Sequence, residues 1–192
     1  MMDMTGSQTV GPFLHIGLAG LYRDDLRAAG VEGEVVTIQG RLLDGDGVGV
    51  PDGMVEIWQA NCHGRYPDPQ DARSLPLEPS FRGFGRVATD AQGGFCFTTI
   101  KPGALPGPNG STQAPHIVVS VFMRGLIKRL ATRMYFPDGI GHADDHVLQL
   151  VPEQRRATLI ARAVDGHPAN LEWNIVVQAG THGYDETVFF DI

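Results

Sequence analysis

Cysteine is nearly absent from this chain. Cys62 and Cys96 are the only two in 192 residues, and neither stands in a C-x-x-C pair or at zinc-site spacing. That excludes a disulfide framework and a thiolate metal cluster, so both are expected as reduced thiols of a cytoplasmic protein. Positive charge is sparse as well: 15 Lys and Arg stand against 22 Asp and Glu, for a formal net charge of -7 at pH 7. With no dense basic run, a nucleic-acid or anionic membrane surface is disfavoured, because phosphate binding needs clustered cations. No apolar run reaches membrane-spanning length, and Met1 to Val10 lacks the basic and apolar blocks of a secretory signal. Also missing are H-E-x-x-H, H-x-H, the G-x-S-x-G elbow, a phosphate-cradling glycine loop and a dinucleotide fingerprint.

Turn chemistry is what the chain has in quantity. With 25 Gly and 13 Pro, many tight turns and therefore many short strands are expected. Period-two, β-branched patterns predict strands at Val35–Ile38, Met54–Trp58, Gly94–Ile100, Ile117–Met123, Arg133–Phe136, Leu171–Gln178 and Thr187–Phe190. Asp44–Gly47 and Asp90–Gly94 tolerate left-handed turns, so each is expected to close a hairpin and the strands to form a meander. Leu18, Leu21, Tyr22 and Leu26 predict a short helix over Leu18–Ala29 with Gly30 at its end, and Pro152 introduces a second over Glu153–Ala163. Pro102–Pro115 reads as a long functional or interface loop. The sum is an all-β, two-sheet β-sandwich with short helical additions. It reads as a single domain over residues 1–192, with an N-terminal arm and helix over 1–33 and the sandwich over 34–192.

Taken one at a time, the candidate chemical residues are quiet. His116 stands alone before an apolar strand and reads as structural. His142 and His146 have the spacing of one helix face, yet Pro137–Gly141 before them reads as loop. Tyr66, in a turn after a buried strand, reads as a packing aromatic with a wet hydroxyl. Arg133 opens the strand Thr132–Phe136, where an arginine beside aromatics either clamps a carboxylate or is a solvated edge charge.

Five segments taken together say more: Val55–Asn61 (VEIWQAN), Gly64–Tyr66, Phe84–Arg86, Thr99–Gly103 (TIKPG) and Ala114–Ile117 (APHI). In this order and spacing they resemble the intradiol ring-cleavage dioxygenases. Ser7–Phe13 and Glu186–Ile192 look like the non-iron-binding, α-type subunit of a heteromeric member. The resemblance implies the intradiol type of β-sandwich and non-haem Fe(III) held by two tyrosinates and two histidines in the catalytic subunits. Tyr66 matches the first tyrosine and His116 the first histidine; Leu105 and Val118 stand where the other two ligands belong, and Gln113 replaces an arginine. These degenerate positions imply no metal in this chain and place the iron in a partner β-type subunit, within αβ protomers of a higher oligomer. Thr9, Gly11, Pro12 and Phe13 would wall the partner's substrate pocket, Phe13 standing where a tyrosine is usual, and Arg133 would act there as the catalytic-site cation. Trp58, Phe84, Phe95, Phe97, Ile117 and Trp173 are assigned to core or interface. The implied reaction opens 3,4-dihydroxybenzoate with O2 to 3-carboxy-cis,cis-muconate. Two alternatives stay open: a stand-alone dioxygenase whose iron site recruits His63 or His142, and a β-sandwich binding module with no catalytic partner.

Overall fold

The computed structural model describes residues 5–180, 183 and 185–191, so Met1 to Met4 and the closing Ile192 lie outside it. Two sheets face each other. In the first, β1 (Val35–Leu43) is central, antiparallel along its length to β4 (Gly94–Ile100). Its other edge runs parallel to β10 (His167–Glu172) and then β11 (Ile175–Val176), and β9 (Arg162–Val164) pairs with β10. The second sheet is antiparallel throughout, in the order β3 (Phe84–Ala88), β2 (Met54–Trp58), β7 (His116–Phe122), β8 (Leu130–Tyr135). A small hairpin of β5 (Leu105–Pro106) and β6 (Thr112–Gln113) interrupts the long loop expected there.

Alternation explains which faces meet. Val36, Ile38 and Leu42 of β1, with Phe95 and Phe97 of β4, pack against Val55 and Ile57 of β2 and Ile117, Val119 and Val121 of β7. Trp173 joins the same core. Each large side chain so buried contributes roughly 1.5 to 3 kcal/mol. At Gly40 the alternation is broken by necessity, since a Cβ there would lie 1.7 Å from the Trp173 carbonyl oxygen. Cys62 and Cys96 are free thiols, and among the described residues no helix is long and apolar enough to cross a membrane.

Several expectations are corrected. The turns at Asp44–Gly47 and Asp90–Gly94 do close locally, with Gly47 N–H on the Asp44 carbonyl at 3.1 Å and Gly93 N–H on the Asp90 carbonyl at 3.0 Å. Each nevertheless carries the chain from one sheet to the other, so β1 and β2, like β3 and β4, are not hairpin partners and there is no meander. Turn residues dictate a reversal; burial chooses the partner strand. The first helix is α1 (Pro12–Leu18), continued by a 3-10 turn at Ala19–Leu21, not Leu18–Ala29. Pro12 presets its first turn, while the chain beyond it runs extended between the sheets. Arg23 N–H reaches the Arg86 carbonyl at 2.8 Å and Leu26 N–H the Thr98 carbonyl at 2.9 Å, which delivers Leu26 to the core. The second helix is only α3 (Glu153–Arg156) with a 3-10 turn, because Arg162–Val164 is drawn into β9. Leu171–Gln178 divides at Trp173, and Thr187–Phe190 makes only a bridge from Phe190 to Ala131.

Two buried polar side chains tie these layers. Gln59 has no exposed surface; its Nε2 donates to the Ile100 carbonyl at 2.7 Å and its Oε1 accepts from the Thr99 hydroxyl at 2.8 Å. Asp145, equally buried, caps α2 (His146–Leu150) by accepting from Val147 N–H at 2.9 Å and Leu148 N–H at 3.0 Å. Its other oxygen accepts from Ala114 N–H at 2.8 Å. Asp145→Ala would strand all three amides away from water, an expected loss of about 3 to 5 kcal/mol. Asp145→Asn, which keeps the shape and one acceptor, should cost less; urea denaturation of both variants checks the order.

Candidate functional site

The outer face of the four-stranded sheet carries His116, Val118 and Arg133. Trp58 lies opposite Val118, Val118 opposite Arg133, and His116 opposite Tyr135. Since Ile117 and Val119 point into the core, the period of two turns His116 and Val118 to the other face. Tyr66 reaches it from the turn after β2. Asn61 builds that turn, its Oδ1 accepting from His63 N–H at 3.1 Å and Arg65 N–H at 2.9 Å. Gly64 completes the turn at φ 76°, where a Cβ would come within 2.1 Å of the Ala104 carbonyl oxygen. Tyr66 N–H then donates to Asp71 Oδ2 at 2.8 Å, and the ring stacks on Trp58 with centroids 5.5 Å apart. Hydrogen bonds from Arg73 hold the Asp71 carboxyl well below the usual carboxylate range.

His116 is fully buried, and its Nδ1 donates to the Ala114 carbonyl at 2.8 Å, which fixes the tautomer. Burial, reinforced by the Arg133 charge, pushes the imidazole down to about 4. Its neighbour Tyr135 is also buried, which drives the hydroxyl up to about 12. Arg133 donates from Nη1 to Gln113 Oε1 at 2.8 Å, and Gln113 lies opposite the buried Leu105 in the β5–β6 hairpin. Of the other histidines, His63 lies 3.6 Å from Glu32, and His142 meets the Tyr135 ring edge-on at 5.6 Å. His142 and His146 share no helix face, because α2 begins at His146.

A second group forms around the N-terminal arm. Thr9 Oγ1 accepts from Gly125 N–H at 2.7 Å. A cavity of about 480 Å3 is lined by Val10, Gly11, Pro12, Ile16, Met54 and Arg124, among others. Arg124 Nε lies 2.9 Å from Asp52 Oδ2. Phe13 is 84% exposed, and Ile16 and Leu21 are also turned outward. Within this chain Arg133 is bonded to Gln113, and the arginine lining the cavity with Gly11 and Pro12 is Arg124. Sequence reasoning missed it because Gly125, which docks Thr9, is 116 residues away along the chain.

A family model described as dioxygenase matches residues 19–179. The protocatechuate 3,4-dioxygenase alpha chain of Burkholderia cepacia is 40% identical over 100% of this chain and 98% of its own length. The chain belongs to the intradiol dioxygenase family. A beta chain of the same enzyme from Burkholderia cepacia is 38% identical over 90% of this chain and 75% of its own length. In fold, the chain is also like the dioxygenase domain of a carbohydrate-binding fusion protein from Streptomyces sp. SirexAA-E. The TM-score is 0.64 at 22% identity, over 83% of this chain and 89% of that one.

Intradiol dioxygenases depend on non-haem iron, and the first group does not fit it. Tyr66 and His116 carry donor atoms and Leu105 and Val118 do not; Val118 faces Arg133 across the sheet, and Leu105 lies opposite Gln113 in the β5–β6 hairpin. Among the described residues, no three His, Cys, Asp or Glu side chains are placed to hold a metal ion.

Buried neutral, His116 makes stability depend on pH. Its folded value of about 4 lies below the 6.5 of the unfolded chain, so the unfolded state takes up the proton first. This contribution, ~3 kcal/mol at most, is complete above pH 6.5 and is lost as pH falls toward 4. His116→Asn should flatten that slope in urea midpoints measured from pH 7 to 4.5.

Proposed function

We propose that this chain is the alpha-type subunit of a protocatechuate 3,4-dioxygenase, working as αβ protomers of a larger cytoplasmic oligomer. The observation that carries the reading is full-length similarity to an alpha chain combined with donor-free side chains at Leu105 and Val118. A beta chain of the same fold would hold the Fe(III) and so would supply the metal chemistry toward the catechol and O2. The overall reaction adds both atoms of O2 to 3,4-dihydroxybenzoate and breaks the bond between its hydroxyl-bearing carbons, giving 3-carboxy-cis,cis-muconate.

This chain's share is to shape and dry the partner's pocket. Thr9, Gly11, Pro12 and Phe13 form the wall, held at Gly125 by the Thr9 hydroxyl. The apolar face of Phe13, Ile16 and Leu21 suits coverage by a partner, and closing it excludes water from the reacting centre. Arg124, beside that wall and held by Asp52, would present its guanidinium to an anionic substrate at short range. Two free thiols accord with a reducing compartment.

Iron content, visible absorption and oxygen uptake with protocatechuate, compared for the chain alone and co-expressed with a beta chain, test the reading. Iron, colour and turnover are expected only with the partner; a coloured, active lone chain would sink it. In the complex, Arg124→Met should raise KM several-fold while kcat changes little.

A further inference from the structure

The vestigial ligand positions surround a cation that the chain supplies itself. Arg133 stands on β8 directly opposite Val118, the place of a missing histidine. Val118 in turn faces Trp58, on which Tyr66 is stacked, and the next cross-strand pair on that face is His116 with Tyr135. The guanidinium is anchored 2.8 Å from Gln113 Oε1, and Gln113 is the strand partner of Leu105, the place of the missing tyrosine. Leu105, His116 and Val118 thus adjoin Arg133 or one of its immediate neighbours, and Tyr66 stands one strand further, on Trp58. Electrostatics agree: burial is the largest influence on Tyr66, His116 and Tyr135, and Arg133 is the next in all three.

We propose that Arg133 is a built-in replacement for the metal, its guanidinium supplying the charge around which Tyr66, His116 and Tyr135 are arranged and excluding multivalent cations from the vestigial site. A guanidinium cannot shed its proton at any ordinary pH and offers no lone pair to a metal. A ferric ion beside it would meet a like charge that the part-buried guanidinium cannot lose. Gln113, on the neighbouring hairpin, accepts a hydrogen bond from this guanidinium. The inference rests on reading Tyr66, Leu105, His116 and Val118 as former ligand positions, and is independent of the proposed partnership.

The test restores the ligands with and without the arginine. The full chain carrying Leu105→Tyr and Val118→His is expected to hold no more iron than the wild type, and to stay colourless after incubation with ferric citrate. Adding Arg133→Gln is expected to raise bound iron to nearly one per chain, with tyrosinate-to-iron absorption in the visible; Arg133→Lys, which keeps the charge, should not. A coloured, iron-loaded double variant overturns the proposal, as does a folded triple variant that stays iron-free. If the triple variant fails to fold by circular dichroism, Val118→His with and without Arg133→Gln is titrated with cobalt(II) instead. Tighter cobalt binding only without the arginine supports the proposal, and equal binding overturns it.

Discussion

Asp145 is a carboxylate with no exposed surface, and three backbone amides point at it. Burying such a group is tolerable only when its oxygens are satisfied, so the segments that supply those donors cannot move independently. One is the start of α2, another is Ala114, at the entrance to β7. The Tyr135 hydroxyl stands at 3.4 Å on the side of β8. Fixing Ala114 fixes His116 as well, because the imidazole is tied back to the Ala114 carbonyl. One carboxylate therefore holds together the helix and the two strands that carry His116 and Arg133.

The sandwich itself is held differently. Its stability resides in the apolar layer between sheets, where the bulk of the large side chains is buried. Polar ties at the ends of that layer choose the alignment. Gln59, just past β2, bonds to Thr99 and Ile100 at the end of β4, so the two sheets cannot slide without stranding a buried amide. Glu56 and Arg86 pair across β2 and β3 at 2.7 Å on the outer face, where a one-residue slip would turn both charges into the core.

Local pattern was legible to the extent that one face of a strand is buried. β2 and β4 have the bounds expected from alternation, since each carries a run of core residues ending at a turn. Pairing was not legible: Asp44–Gly47 and Asp90–Gly94 contain all the chemistry of hairpin turns, yet they are corners between sheets. Leu26 misled in the opposite direction, lying at helical spacing while its burial comes from an extended chain. The strand Phe84–Ala88 carries a glycine opposite Ile57 and only half-buried outer residues, which hid its pattern. At the site, the reading of positions 105 and 118 came from the resemblance alone. The places of Arg133 and Arg124 were not readable, because they are set by register across a sheet and by docking of a distant arm.

That arm has a history as well as a geometry. A ribosome delivers Thr9 to Leu26 first, but Arg86, Thr98 and Gly125, to which the arm is fastened, emerge only after nearly half or more of the chain has been made. The surface around Phe13 is consequently completed late, after both sheets exist to receive it. Its presence reports that β3, β4 and the turn at Gly125 are in place, so a partner selecting for that surface would be reading both sheets by touching the arm.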